Sequence, residues 1–401
     1  MKKISAMAKK IVYTYRDSRI IRFAMLLTVS ILLAAVLVFW FESGTNTEFA
    51  DMLDGFWWMI ITFSTTGYGD MVPITTGGRI IAILIIFFGI VGAGLLSASM
   101  TSWLVDQNSR SRRGLLDFQN IRNHLVVCGW KQDIKEILRD ILRISNKLQS
   151  DQIILVSNAD PQQVDELKES DQLKGLKFVR GDYFAEHTLK RANVSQAAKV
   201  LILADTLDSN AVSEVDSKTV MTVLTVKSMQ RETYVTAEVL DRKFESYLRH
   251  AQCDEIIFSR DFARQLLASS SSTNGMSHII HELVSRENSS TWLTTIPVPE
   301  NFVGKTYGEF RAYTELTLAR NKRNVVMIGL LENTGSQTRM KLEALREAQK
   351  TSDVSRLVSN IQGVKGLSAN HPRFLPAEDS VLLRYSAAII LEKESEEGRS
   401  A

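Results

Sequence analysis

The residues with the most specific chemistry are Thr65-Thr66-Gly67-Tyr68-Gly69-Asp70. Glycines at 67 and 69 let alternate residues adopt backbone conformations barred to residues with a Cβ, so successive carbonyls can point the same way. Repeated from four copies of a chain, such loops stack rings of carbonyl oxygens that replace the hydration shell of a potassium ion. The Thr65 hydroxyl supplies the innermost ring in this reading. Tyr68 points away from the ion and packs on nearby aromatic residues, holding the loop's diameter. Thr65, Thr66, Gly67, Tyr68 and Gly69 are therefore the expected filter residues.

Bare backbone of this kind is tolerated at membrane depth only where it lines a watery cavity or is buried in protein. The flanking sequence provides for that. Ile20 to Phe41 and Ile80 to Leu104 are apolar runs, the second without a charge, in a chain of 401 residues. Each exceeds the roughly 20 residues that cross a bilayer as a helix. The first is too long for a signal peptide, and no small-residue cleavage site follows it. Between them, Phe56-Trp57-Trp58-Met59-Ile60-Ile61 lies in a segment too short to span and reads as a re-entrant helix whose dipole can face a cation. Lys and Arg cluster before Phe23 and resume at Arg79, with only acidic residues in between. The positive-inside rule puts both termini in the cytoplasm and the intervening loop outside. The net charge of +3 mostly reflects this topology and gives no argument for nucleic-acid binding. Cys128 and Cys253 both fall in the cytoplasmic part and are expected as buried thiols.

Beyond a polar, Arg-rich linker, strands alternate with helices. His124 to Gly129, Gln152 to Val156, Lys177 to Val179, Lys199 to Leu203 and Thr233 to Ala237 read as buried strands. This alternation predicts a doubly wound parallel sheet, whose ligands bind beyond the strand carboxyl ends. The candidate ligand-binding residues there are Gly129, Trp130, Lys131, Asp133, Asn158, Arg180 and Asp205. Of the dinucleotide fingerprint only the first glycine survives, in Gly129-Trp-Lys-Gln-Asp-Ile134, and Asn158 stands where a ribose-binding carboxylate is usual. An adenine nucleotide such as NAD or ADP can still use helix N-terminal amides, with Lys131 or Arg180 adding charge.

Thr65 to Asp70 resembles the potassium-channel signature T-V-G-Y-G-D, with Thr66 in place of the valine. Val179-Arg-Gly181-Asp182, followed by Leu189-Lys-Arg-Ala192-Asn-Val194, resembles the RCK (KTN-type) regulatory domain of potassium channels and transporters. The likeness extends over about Asn120 to Leu391, with Asn301 to Thr306, Val325 to Gly329 and Asn370 to Asp379 similar to the small C-terminal RCK subdomain. It implies a two-transmembrane, prokaryotic-type channel subunit. Gly89 aligns with the family's inner-helix hinge. Helical spacing from that hinge places Gly94, Ala98 and Thr101 towards the pore axis, flanked by Leu96, Ser97 and Met100, as the gate region. In the family's calcium-gated members carboxylates after the third and fifth strands hold calcium. Asp182 and Glu238 match two of them, Leu240 occupies the third position, and Asp241 lies beside it.

The expected fold class is membrane α, with two transmembrane helices and a re-entrant pore helix, followed by an α/β Rossmann-like RCK domain with a small α+β C-terminal lobe. The expected divisions are a cytoplasmic N-terminus (1–19), pore domain (20–105), linker (106–121), RCK N-lobe (122–243), crossover and dimerisation helices (244–290) and C-lobe (291–395). Residues 337–367 read as an inserted, partly helical loop. The expected function is a homotetrameric, ligand-gated potassium channel in the cell (inner) membrane. K+ permeates, and Ca2+ or an adenine nucleotide acts on a cytoplasmic RCK ring. It is not an enzyme in this reading. An NAD-linked membrane oxidoreductase and a K+ transporter subunit are the alternatives. The first is disfavoured by the degraded glycine loop and gives no account of Thr65 to Asp70; the second usually needs more spans.

Overall fold

The computed structural model describes residues 19–145, 147–207, 211–285, 291–320, 324–348 and 369–393. Residues 1–18 of the expected N-terminal segment 1–19 and most of the expected insertion lie outside them. The chain forms two compact units, one up to Ser109 and one from Arg110 onward.

The first unit holds helix α1 (Arg19–Glu42), the short helix α2 (Met52–Phe63) and the long helix α3 (Thr76–Arg112). At 1.5 Å per residue α1 is about 36 Å long, enough for a bilayer's apolar core. Among the described residues, α3 is the helix that is long and apolar enough by composition to cross a membrane, while the apolar part of α1 is the shorter Thr28–Glu42. A capping box starts α2, in which the Asp51 N–H donates to Asp54 Oδ2 at 2.8 Å. Trp58 and Met59 of α2 pack with Ala35 and Val38 of α1 and with Phe49. Gly55 makes that crossing close, because a Cβ there would lie 2.9 Å from the Ala35 carbonyl oxygen. Helix α3 continues to Arg112 and so takes in the first residues of the expected linker. Polar side chains do not end a helix by themselves; Gly114, at φ +66°, follows shortly after its end.

The second unit contains strands β1 (Leu125–Cys128), β2 (Ile153–Ser157), β3 (Lys177–Arg180), β4 (Lys199–Ile202), β5 (Tyr234–Val239) and β6 (Glu255–Phe258). They form one six-stranded sheet in the order β3-β2-β1-β4-β5-β6. Every pairing is parallel. Between them run helices α4 (Ile134–Ile144), α5 (Pro161–Lys168), α6 (Glu186–Arg191), α7 (Val212–Met229) and α8 (Glu245–His250). Alternate strand residues enter different cores: Val126, Cys128, Ile154 and Val156 pack in one, Val127, Ile153, Leu155 and Phe178 in the other. A sheet covered on both faces reads as continuous apolar sequence, which is why these strands were visible as Leu-Val-Val-Cys and Ile-Ile-Leu-Val-Ser. The sheet extends past the expected lobe boundary at 243, since β6 lies within the segment read as purely helical. That segment also supplies α9 (Ser259–Ser272) and α10 (Met276–Val284), neither of which has a buried residue.

The C-terminal lobe is an antiparallel sheet of β7 (Thr291–Pro297), β8 (Asn324–Glu332), β9 (His371–Phe374) and β10 (Ala387–Lys393), ordered β7-β10-β8-β9. Helix α11 (Tyr307–Arg320) packs on it through Tyr307 and Phe310, against Met327, Leu330, Ala388 and Ile390. Helix α12 (Gln337–Ala348) opens the expected insertion.

Candidate functional site

Two places carry functional geometry: the loop after α2 and the carboxyl end of the parallel sheet. In the first, Thr65, Gly67 and Gly69 have φ of +58°, +55° and +75°, and Thr66 and Tyr68 between them do not. Alternate residues thus take the left-handed backbone that the glycines at 67 and 69 allow. The amides of Thr66 and Gly67 donate to the Ile61 carbonyl at 3.0 and 3.4 Å, anchoring the loop to the end of α2. Tyr68 stacks on Trp57 with ring centroids 6.4 Å apart and planes 14° from parallel. The Trp57 indole N–H donates to Asp70 Oδ2 at 3.0 Å. The aromatic packing expected of Tyr68 is thus present, on the residue before Trp58. A cavity of about 630 Å³ borders this loop, lined among others by Trp58, Thr65, Gly67, Ile86 and Gly89.

A second anchor was not foreseen. Glu42, fully buried at the end of α1, accepts at Oε1 from the Thr75 amide (3.0 Å) and Thr75 Oγ1 (2.6 Å). Its Oε2 accepts from the Ile74 amide and from Asn46 Nδ2, both at 3.0 Å. Asn46 Nδ2 also donates to the Val72 carbonyl. The segment that leaves the loop is thereby tied to α1. From sequence Glu42 counted only as one of several acidic external residues; its partners lie up to 33 residues away.

On α3, Gly89 is buried, and a Cβ there would meet Phe63 at 3.4 Å, so the position is in packing contact with α2. Gly94, Ser97, Ala98, Met100 and Thr101 are exposed and Leu96 is half-buried. A Cβ at Gly94 would touch nothing within 4 Å.

At the sheet, the strand order reverses between β1 and β4, and ligands of such sheets bind in the crevice this creates. Gly129 turns the chain there at φ +95°, where a Cβ would lie 3.0 Å from the Leu203 carbonyl oxygen and 3.2 Å from Asp205 Cβ. Lys131 Nζ donates to Glu238 Oε1 at 2.9 Å, and Glu238 Oε2 accepts from the Ala204 amide at 3.0 Å. This ion pair spans from the end of β1 to the end of β5. Asp205 is buried and accepts from the Leu207 amide at 2.8 Å. Asn158 Nδ2 donates to Asp182 Oδ1 across the ends of β2 and β3. Asp133 precedes α4 without a side-chain capping bond, and Arg180 is exposed at the end of β3. Trp130 does not face a ligand crevice: it is 9% exposed and packs in the core with Ile134 and Leu138.

The three carboxylates expected to hold calcium are each engaged locally. Glu238 carries an ammonium, Asp182 is bound by an amide side chain, and Asp241 accepts from the Lys243 amide at 3.0 Å. Among the described residues no group of three or more His, Cys, Asp or Glu side chains is placed to hold a metal. Calcium needs six to eight oxygens, and a lysine at 2.9 Å opposes a dication, so this arrangement does not fit the ion.

Two further residues were missed. Buried Asp216 accepts from the Leu240 and Asp241 amides, both at 2.9 Å, and fixes the turn after β5; burial raises its pKa. Arg191 donates to the carbonyls of Gly114, Leu116 (3.3 Å) and Arg180 (3.0 Å), and its Nε pairs with Asp117 at 3.0 Å. It fastens the linker to the ligand end of β3. Cys128 and Cys253 are free and buried, as expected, and burial pushes the Cys253 thiol up to about 12.

Comparison with known proteins adds to this geometry. An ion-channel family model matches residues 26–106, and a model of the calcium-activated potassium channel slowpoke-like RCK domain matches residues 120–239. The calcium-gated potassium channel TvoK of Thermoplasma volcanium is 28% identical over 275 residues, covering 68% of this chain and 75% of its own. The putative potassium channel protein YugO of Bacillus subtilis is 28% identical over 242 residues, 60% of this chain and 69% of its own. Among solved structures, the GsuK channel bound to NAD overlaps 94% of this chain and 57% of its own, at 17% identity and a TM-score of 0.45. With a pore region and an RCK domain matched in succession along one chain, the protein is a potassium channel that carries an RCK ligand-binding domain.

Proposed function

We propose that four copies of this chain surround a pore in the cell membrane, with both termini cytoplasmic, and that Thr65 to Gly69 select K+ through their carbonyls. The observation that carries this reading is the alternation of positive φ at Thr65, Gly67 and Gly69 in a loop between α2 and α3. The loop residues are exposed in a single chain, as are Phe87, Phe88 and Ile90 on α3. Neighbouring copies and lipid would cover them. Gly89 is the bending point, and Gly94 to Thr101 form the gate region.

Ligand binding to a ring of RCK domains shifts the pore between open and closed populations, because the ligand binds one ring shape better than the other. The crossover helices α9 and α10 pair these domains; their exposed Phe262, Leu267 and Ile279 supply the apolar surface. At the sheet the Gly129 turn, Lys131 and Arg180 are the groups that would meet an anion, and an adenine nucleotide such as NAD or ADP is the ligand class proposed. Its phosphates would meet the Gly129 turn and draw Lys131 away from Glu238. Calcium, which the name of the T. volcanium relative carries, is not assigned to Asp182, Glu238 and Asp241.

Single-channel recordings with ADP, NAD and calcium added in turn test the placement. A nucleotide response that disappears in Lys131→Ala supports it. A calcium response abolished by Asp182→Asn, with the nucleotide response intact in Lys131→Ala, would overturn it.

A further inference from the structure

At the end of the parallel sheet opposite the strand carboxyl ends, the Rossmann-like and C-terminal lobes enclose a cavity of about 490 Å³. Its lining includes Lys199 and Tyr234, which begin β4 and β5, and Ser336, Arg339 and Asn370 from the C-terminal lobe. We propose that this cavity is a second ligand site, for a phosphate-bearing small molecule that bridges the two lobes.

Charge is the first argument. Lys199 has no carboxylate partner among the described residues; its ammonium lies 5.2 Å above the Tyr234 ring. Arg339 is exposed and held by Glu343 through a contact of 3.3 Å, which a better oxyanion can displace. One cation comes from each lobe.

The second argument is the start of α12, a helix of twelve residues. Ser336 immediately precedes it, is 7% exposed, and its Oγ has no hydrogen-bond partner among the described residues. A serine at this position ordinarily accepts from an amide of the first helical turn. Here the hydroxyl is left available beside the positive end of the helix, where anions are favoured. Burying an unpaired hydroxyl is unfavourable, and a ligand oxygen would satisfy it.

Most of the acids nearby are already engaged. Asp254 accepts from the Gln337 amide, but its charge is met by Lys227 at 2.6 Å. Glu255 accepts from the Tyr234 hydroxyl at 3.2 Å, and that hydroxyl also accepts from Asn370 Nδ2 at 3.1 Å. Glu343, outside the lining, is engaged with Arg339; Glu232, the acid of the lining, has no ion-pair partner among the described residues. The volume falls in the range of small-molecule sites and exceeds what a bare phosphate fills, so the phosphate carries an organic body. This site does not depend on the nucleotide reading at the other end of the sheet.

The test is calorimetric titration of the full-length channel in detergent with inorganic phosphate and with ribose 5-phosphate. Both should bind, the sugar phosphate more tightly. Lys199→Ala and Arg339→Ala should each weaken binding at least tenfold while the tetramer elutes normally. If an alanine variant does not fold, Lys199→Gln keeps the stem and removes the charge. Free phosphate binding as tightly as the sugar phosphate would refute the organic body. Saturable binding of neither probe, binding untouched by both charge removals, or binding lost only in Lys131→Ala would overturn the proposal.

Discussion

Glu42→Gln changes one atom at the end of α1, and its effect can be worked from the contacts. The carboxylate takes four hydrogen bonds, two on each oxygen, from Asn46, Ile74 and Thr75. Glutamine keeps one oxygen, so two donors lose their acceptor whichever way the amide turns. Each buried donor left unsatisfied costs about 1–3 kcal/mol, or about 2–6 kcal/mol per subunit. Even the low end shifts the ratio of intact to loosened loop about 30-fold. The carboxylate also lies closely against Gly78, where a Cβ would come within 2.0 Å of Oε1. Potassium efflux from liposomes should fall or decay quickly, and the assembled channel should melt at lower temperature. Glu42→Gln with wild-type flux and wild-type melting would refute the clamp.

The remaining predictions concern the RCK domain. Arg191→Ala removes the side-chain ties of residues 114–117 and leaves the Arg180 amide on the Gly114 carbonyl at 2.9 Å; ligand should still bind with near-normal affinity while its effect on open probability shrinks severalfold, as paired binding and current measurements would show. His124 is buried with Nε2 on the Ala192 carbonyl and Nδ1 without a partner among the described residues, and burial holds its pKa below the ordinary 6.5. Between its folded pKa and 6.5 the unfolded chain binds more protons than the folded one, so stability rises with pH up to about 6.5 and then levels. Urea unfolding across pH 5 to 8 should show that slope, and His124→Gln should flatten it.

Much of this fold was legible because the apolar pattern was strong. The alternating backbone of the loop after α2 was legible from two glycines, and the parallel strands from continuous apolar segments. Strand β6 escaped because Glu-Ile-Ile-Phe is short and only half-buried at the sheet edge, between segments that read as helical. Trp130 was misplaced because a position beside a glycine turn does not reveal which way its side chain faces. Glu42, Arg191 and Asp216 were missed for another reason. Each acts on backbone groups far along the chain, and Arg191 reaches carbonyls up to 77 residues away. Sequence spacing carries no trace of such contacts. The lysine on Glu238 could not be foreseen either, because resemblance fixes residue types, whereas Lys131 reaching Glu238 depends on the fold.

The most direct test of the account is the reversal potential of the purified protein in a planar bilayer, with potassium on one side and sodium on the other. The account predicts a reversal potential close to the potassium equilibrium value, and no current from Gly67→Ala, whose residue sits at φ +55°. Comparable sodium and potassium currents through the wild-type protein would contradict it.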